Sequence, residues 1–367
     1  VGIGLSSGGT HGYYLMMMGS LGPRVRGVRS RLLTKDKLRA IIYAESLDDV
    51  VNVLRDTGYK SVIERIEKIT SPEEITKEFK TAVIQDLVQL ALGSPPQARY
   101  LLSVYLLKFE IENIKIVAKC LHEGKERRDM ERLVNTYIAE IMGRRHVLAY
   151  ILGARDLEDL GTKLRELYHP AAEAFENMLK LIKARPQLAL CIIDTLLDSV
   201  YLSRLYTITT SKLMRDNSAM DVVRTLVDFY NISLLLRAKL WNLPLDLVQG
   251  FVVPFGPVGT NFARYYGEPV VRVLEELSTN PLITTLTTIA KGVELETIVQ
   301  KLSIAQFKAA QSLSTSIVTK YSPASPGAAL SVAYVKDLEA ELVATIVRCF
   351  VEGVSKALIR SHFEAVL

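Results

Sequence analysis

Paired carboxylates are the first chemistry the chain offers. Two acids on one helix face can hold a magnesium ion, and Asp48-Asp49 and the pair Asp194, Asp198 are the nearest candidates. Neither forms an Asp-Asp-x-x-Asp run, and both fit exposed helix faces. A phosphate loop needs glycines for close backbone approach and a lysine for the phosphates. Gly256 to Gly259 supply glycines without the lysine and read as a turn. The histidines, His11, His122, His146, His169 and His362, never fall at metal-ligand spacing. His122 and His169 lie near helix ends, where histidine commonly caps. Cys120, Cys191 and Cys349 are far apart and no Cys-x-x-Cys occurs, which argues against a zinc site or a disulfide framework. Reduced thiols inside a cell are the simplest reading. No serine or cysteine has a nucleophile-elbow context. The residues point away from an enzyme, with no catalytic, cofactor-binding or metal-binding set.

One stretch is strongly basic. Arg24, Arg26, Arg29, Arg31, Lys35, Lys37 and Arg39 face the single Asp36, in a chain whose net charge is only +5. Such a run suits nucleic acid, a lipid surface or an acidic protein, and equally a solvated helix face. The aromatic interleaving that stacking on single strands requires is absent. No apolar run approaches the roughly 18 residues of a membrane helix.

The elements that must position these residues repeat. Tyr105–Leu121 (YLLKFEIENIKIVAKCL) returns as Val223–Lys239 and as Tyr334–Phe350. With Asn113 set over Asn231 and Leu342, an acid lies three residues before (Glu110, Asp228, Glu339). A base lies six after (Lys119, Arg237, Arg348), and Tyr105 and Tyr334 stand eight before. The copies are 118 and 111 residues apart, and Leu54-Arg55-Asp56 recurs as Leu164-Arg165-Glu166 and Leu274-Glu275-Glu276. Two signatures in one order, three times, predict a triplicated unit of roughly 110 residues. That period is too long for a solenoid of helix pairs, so each copy resembles a small domain.

Hydrophobic residues make up 49% and aromatics only 7%, and the periodicity is helical throughout, which predicts an all-α protein. Helices are expected over Leu47–Gly58, from Pro72 to about Gly93, over Leu157–Tyr168 and over Glu294–Tyr321. Residues 1–23 read as a flexible leader, with helical units over 24–135, 136–248 and 249–367.

The residues now carry a resemblance. Arg24-Val25-Arg26-Gly27-Val28-Arg29-Ser30-Arg31-Leu32-Leu33 resembles the opening of the rotary ATPase central-stalk subunit, called C in archaeal A-type ATP synthases and d in vacuolar ATPases. The likeness continues through Glu110–Ile114, Asp228–Ile232 and Ala333-Tyr334-Val335-Lys336 with Glu339, and covers essentially everything after residue 23. Two departures stand out: Ser20-Leu21-Gly22-Pro23 replaces the family's Tyr-x-Asn-Ala, and Leu342 replaces asparagine.

The resemblance implies three pseudo-threefold-related helical domains forming a funnel. It implies a non-catalytic coupling subunit of an A/V-type rotary ATP synthase or ATPase. This socket would join the shaft subunits, of D and F type, to the membrane proteolipid ring for ion-coupled synthesis or hydrolysis. It would be peripheral to the cytoplasmic face of the cell membrane, with no cofactor and no nucleic acid. The competing expectation is a soluble helical enzyme of terpene-synthase type with a magnesium cluster, which the missing paired-acid motif disfavours.

A helical wheel at about 100° per residue separates the columns. Ile114, Val117, Ala118 and Leu121 share an arc of roughly 100° with the acid column, while the base column falls opposite. Glu110, Asp228 and Glu339, with Asn113 and Asn231, are therefore expected as buried structural anchors, with Arg55 or Arg165 as possible partners for the acids. Lys115, Lys119, Arg237, Arg348, Glu112 and Glu341 are expected to face the shaft. Arg24, Arg26, Arg29 and Arg31 are expected to face the ring or lipid.

Overall fold

The computed structural model describes residues 20–66, 71–211, 214, 216–290 and 294–367. The described residues are helical with connecting turns and contain no strand. The leader expected over 1–23 lies outside them as far as residue 19. Residues 20–23 instead begin a helix that runs to residue 30, and Leu21 is fully buried.

Six helices carry the architecture. They are α1 (Pro72–Leu92), α2 (Pro96–His122), α3 (Asp198–Thr210), α4 (Asn217–Leu240), α5 (Leu302–Lys320) and α6 (Pro326–Val351). Each packs against the next, and α6 packs back against α1, which closes a ring. Inside the ring α6 also touches α2 and α4. Pro starts α1, α2 and α6, where its missing N–H satisfies no partner anyway. Asp216 caps α4 by accepting from Ala219 N at 2.8 Å.

The three signature helices, α2, α4 and α6, end alike. Each stops nine residues after the Asn column, at His122, Leu240 and Val351. Two residues further, Gly124, Asn242 and Gly353 adopt left-handed backbone, with φ of 69°, 49° and 72°. The next amide reaches back to close a six-residue turn: Lys125 to Cys120, Leu243 to Ala238, Val354 to Cys349, at 2.8, 3.0 and 2.8 Å. This is the Schellman termination, in which a residue without strain at positive φ lets orphan carbonyls find donors. Glycine or asparagine stands at all three points because those residues tolerate that conformation.

The Asn column has an equally repetitive job. The Asn113 amide donates to Asn135 O at 2.8 Å and accepts from Asn135 N at 2.7 Å. Asn231 does the same to Val253, at 2.9 and 3.1 Å, also 22 residues on. A buried amide thus clamps both backbone groups of one residue in the following segment. Leu342 cannot, and is simply packed.

Shorter helices precede each pair. Ser46 and Asp156, 110 residues apart, cap helices Leu47–Arg55 and Leu157–Glu166, with Asp49 and Asp159 returning the bond to the preceding amide. Counted from the helix start, Leu54 and Leu164 hold one position; in Val270–Glu276 that position falls beyond the helix, on Leu277 rather than on Leu274. The helix expected over Glu294–Tyr321 is interrupted. Lys301 N is shared between Thr297 O and Ile298 O, a tightened turn that separates Leu295–Gln300 from α5.

The seam between the first and last parts of the chain is closed by helix Lys356–Phe363. Lys356 and Arg360 both reach Glu45, at 2.9 and 2.5 Å, and Tyr43 donates to Glu364 at 3.0 Å.

Candidate functional site

A cavity of about 470 Å³ opens among α2, α3, α4 and α6. Glu112, Tyr230 and Glu341 line it, each one residue before the Asn column of its own helix. Lys115, Lys119 and Arg237 line it too. Arg348 does not: it borders a neighbouring recess with Lys77, Glu123 and Leu133, and its nearest acid is Glu352 at 3.7 Å.

Charge on the cavity wall is arranged in pairs. Lys80 holds Glu112 at 2.7 Å, and Lys108 holds Asp337 at 2.6 Å and Glu341 at 3.3 Å. Lys115 meets Asp198 at 2.8 Å, and Lys119 meets Asp194 at 2.6 Å. Asp194 and Asp198, weighed above as metal ligands, are thus engaged by two lysines at the matching i, i+4 spacing. Among the described residues no cluster of three or more His, Cys, Asp or Glu could hold a metal. Burial alone would push the Lys108 ammonium down, but Asp337 and Glu341 hold it well above its ordinary value. Asp337 is fully buried with Oδ1 unpartnered, and burial holds its carboxyl above the usual range against the pull of Lys108. Tyr105 donates to Asp337 Oδ2 at 2.6 Å.

The acid column is buried in all three copies, with different partners. Glu110 forms an ion pair with Arg144 at 3.1 Å and hydrogen-bonds His169 at 3.0 Å. Ala171 N donates to His169 Nδ1, so the neutral ring carries its proton on Nε2 and donates it to Glu110. Glu339 accepts from Leu33 N at 2.6 Å, Tyr59 OH at 2.9 Å and Lys336 Nζ at 3.2 Å. Arg165 pairs with Glu176 and Arg55 donates to Asn52, so neither serves this column as expected. The partners come from segments far away in sequence, which a helical wheel cannot identify.

Asp228 is the least satisfied of the three. Burial pushes its carboxyl up to about 6, opposed by the Val258 amide, and Oδ1 has no partner. A raised carboxyl binds its proton more tightly when folded, so ionisation destabilises, and stability rises as pH falls through about 6 toward the unfolded value. Asp228→Asn should remove that term. The wild type should gain about 1 kcal/mol on the variant between about pH 7.5 and about pH 5 in denaturant melts. A constant difference across that window would show that Asp228 is already satisfied.

The arginines of helix 20–30, and Arg31 in the turn that follows, are exposed but mostly occupied. Arg24 reaches Gln89 O at 3.4 Å, Arg29 reaches Thr315 at 3.2 Å, and Arg31 pairs with Asp86 at 2.8 Å. They staple the helix over the α1 and α5 seam, and Arg26 makes no such bond among the described residues. Reading the sequence missed Lys80, Lys108, Asp337 and Trp241. The signal for Asp337 was visible: Lys336-Asp337 and Glu339 are the charges within an otherwise uncharged run, Ala328 to Ala340.

The chain is similar to known proteins over most of its length. A family model described as ATP synthase (C/AC39) subunit matches residues 21–362. The C subunit of the A-type ATP synthase of Thermococcus gammatolerans is 24% identical over 236 residues, 64% of this chain and 60% of the relative. The protein of that name from Pyrococcus furiosus is 23% identical over 257 residues, covering 69% and 65%. That from Methanosphaera stadtmanae is 28% identical over 235 residues, covering 64% and 57%. The chain thus spans about three fifths of the length of these relatives.

Proposed function

We propose, since this chain belongs to the ATP synthase (C/AC39) subunit family, that it is the non-catalytic socket between the rotor shaft and the membrane proteolipid ring of an A/V-type rotary ATPase. It sits, on this reading, at the cytoplasmic face of the cell membrane. Among the described residues no helix is long and apolar enough to cross a membrane. The observation that carries the reading is the cavity, into which three helices with one termination present residues at one repeated position. A socket that transmits torque must resist shear, and a closed ring of helices with ion pairs across its wall is stiff. The funnel is read as three related units over 24–135, 136–248 and 249–367. Glu112, Lys115, Lys119, Arg237 and Glu341 face the shaft. Arg348 serves the adjacent recess, and Arg26 with the outer faces of Arg24, Arg29 and Arg31 meets the ring.

Pull-down with D- and F-type shaft subunits tests this. The full chain is expected to retain them, to co-purify with membranes carrying the ring, and to hydrolyse no ATP by itself. Robust hydrolysis by the pure chain, or no retention of the shaft, counts against the socket.

A further inference from the structure

We infer that Arg237 seats a carboxylate carried by the shaft, and so fixes the angle at which the shaft enters. The inference rests on the socket reading above.

The cavity wall carries the cations Lys80, Lys108, Lys115, Lys119 and Arg237. Each lysine has a carboxylate within 2.8 Å. The Arg237 side chain has no hydrogen bond and no ion pair among the described residues, and the residue is exposed and lines the cavity. The acid that most favours its charge is Asp198, which Lys115 already holds. Tyr230, beside it, spends its hydroxyl on Thr195 O and Phe251 O. Five N–H donors in a rigid fork therefore stand unspent. The surrounding protein lowers the basicity of Arg237 by stripping water from it. A cation so placed gains more from a counter-ion than one on an open surface, because water screens it less. A carboxylate matches the fork with two parallel bonds.

The neighbouring residue decides between a free anion and a protein side chain. Trp241, one turn beyond Arg237, also lines the cavity and is 56% exposed. An indole beside a guanidinium suits an acidic side chain flanked by apolar surface, and offers a small inorganic anion nothing. The wall repeats threefold in its helices, yet among the described residues that line it only one cation is unspent. Three similar helices would tolerate an insert in three orientations; a single free charge selects one of them.

Trp241 is the sole tryptophan of the chain, so its emission reports the cavity alone when the partner's tryptophans are replaced by phenylalanine. Titrating the full chain with such a D-type shaft protein should move that emission to the blue as the indole leaves water. Arg237→Gln should weaken binding at least tenfold and flatten its salt dependence. Arg237→Lys should recover part of the loss. Arg128→Gln, which removes an exposed charge outside the cavity, should bind as the wild type does. Equal melting temperatures establish that the variants are folded. If Arg237→Gln binds like wild type while the blue shift persists, the carboxylate seat is wrong and the socket stands. If the wild-type chain does not bind, or binds with Trp241 unmoved, both fail.

Discussion

Replacing Glu339 by alanine should lower stability by about 3–5 kcal/mol, among the largest effects expected of one side chain here. Its carboxylate is fully buried and accepts from Leu33 N, Tyr59 OH and Lys336 Nζ. Removal strands a buried amide, a buried phenol and, most expensively, the Lys336 ammonium, which is 1% exposed. Lys336 retains only the face of the Tyr59 ring, 3.9 Å from its centroid, which cannot replace a counter-ion. Glu339→Gln should fall between, because its one amide oxygen can still accept from Leu33 N or from Tyr59, though not from both, and the Lys336 charge is left alone. Removing both charges, as Lys336→Met with Glu339→Leu, should recover much of the loss, since a buried pair roughly balances its own desolvation. Denaturant midpoints decide: an alanine variant within about 1 kcal/mol of wild type would mean that water replaces the carboxylate.

Gly327→Ala should also be damaging, for a steric reason. By helix propensity alone alanine would stabilise by up to about 1 kcal/mol. But Gly327 is where the start of α6 crosses the start of α4, and its amide donates to Ser218 Oγ at 2.9 Å. An added Cβ would lie inside contact distance of the Ser218 backbone, which cannot swing aside as a side chain can. Overpacking of this kind costs about 1–3 kcal/mol or more, so the clash outweighs propensity. Gly27 is the matched control. It is helical, with nothing within 4 Å of its added Cβ, so alanine there should raise the midpoint slightly. A Gly327→Ala variant as stable as Gly27→Ala would show that the two helices can part without loss.

These two sites differ in how far the sequence announced them. The period exposed the signature helices, and the columns along them had physical content: the asparagines clamp backbone, the acids are buried, and Lys119 and Arg237 reach the cavity. What the columns could not supply was partners. Arg144, His169, Tyr59 and Leu33 are brought to the acids by packing between segments up to 306 residues apart, which no local pattern encodes. α6 shows the limit most plainly. Every residue from Pro326 to Ala340 is buried, so its first half has no outer face for a wheel to find. Arg348, inferred to share the fate of Lys119 and Arg237, turns to another recess although its place in the repeat is the same.

The polar partners of Glu339 also bear on the order of events during synthesis. α1 rests its apolar side, including Phe79 and Leu87, against helices that include α6, and Tyr105 on α2 finds its acceptor at Asp337. Each is supplied by chain made more than 200 residues later. The chain through α2 therefore leaves the ribosome with an unfinished interior. Contacts this distant are slow to form and leave apolar surface open meanwhile. Repetition of sequence here does not give three modules that fold by turns: the ring matures when its last helix arrives, and a nascent chain stalled before residue 326 should be protease-sensitive throughout α1.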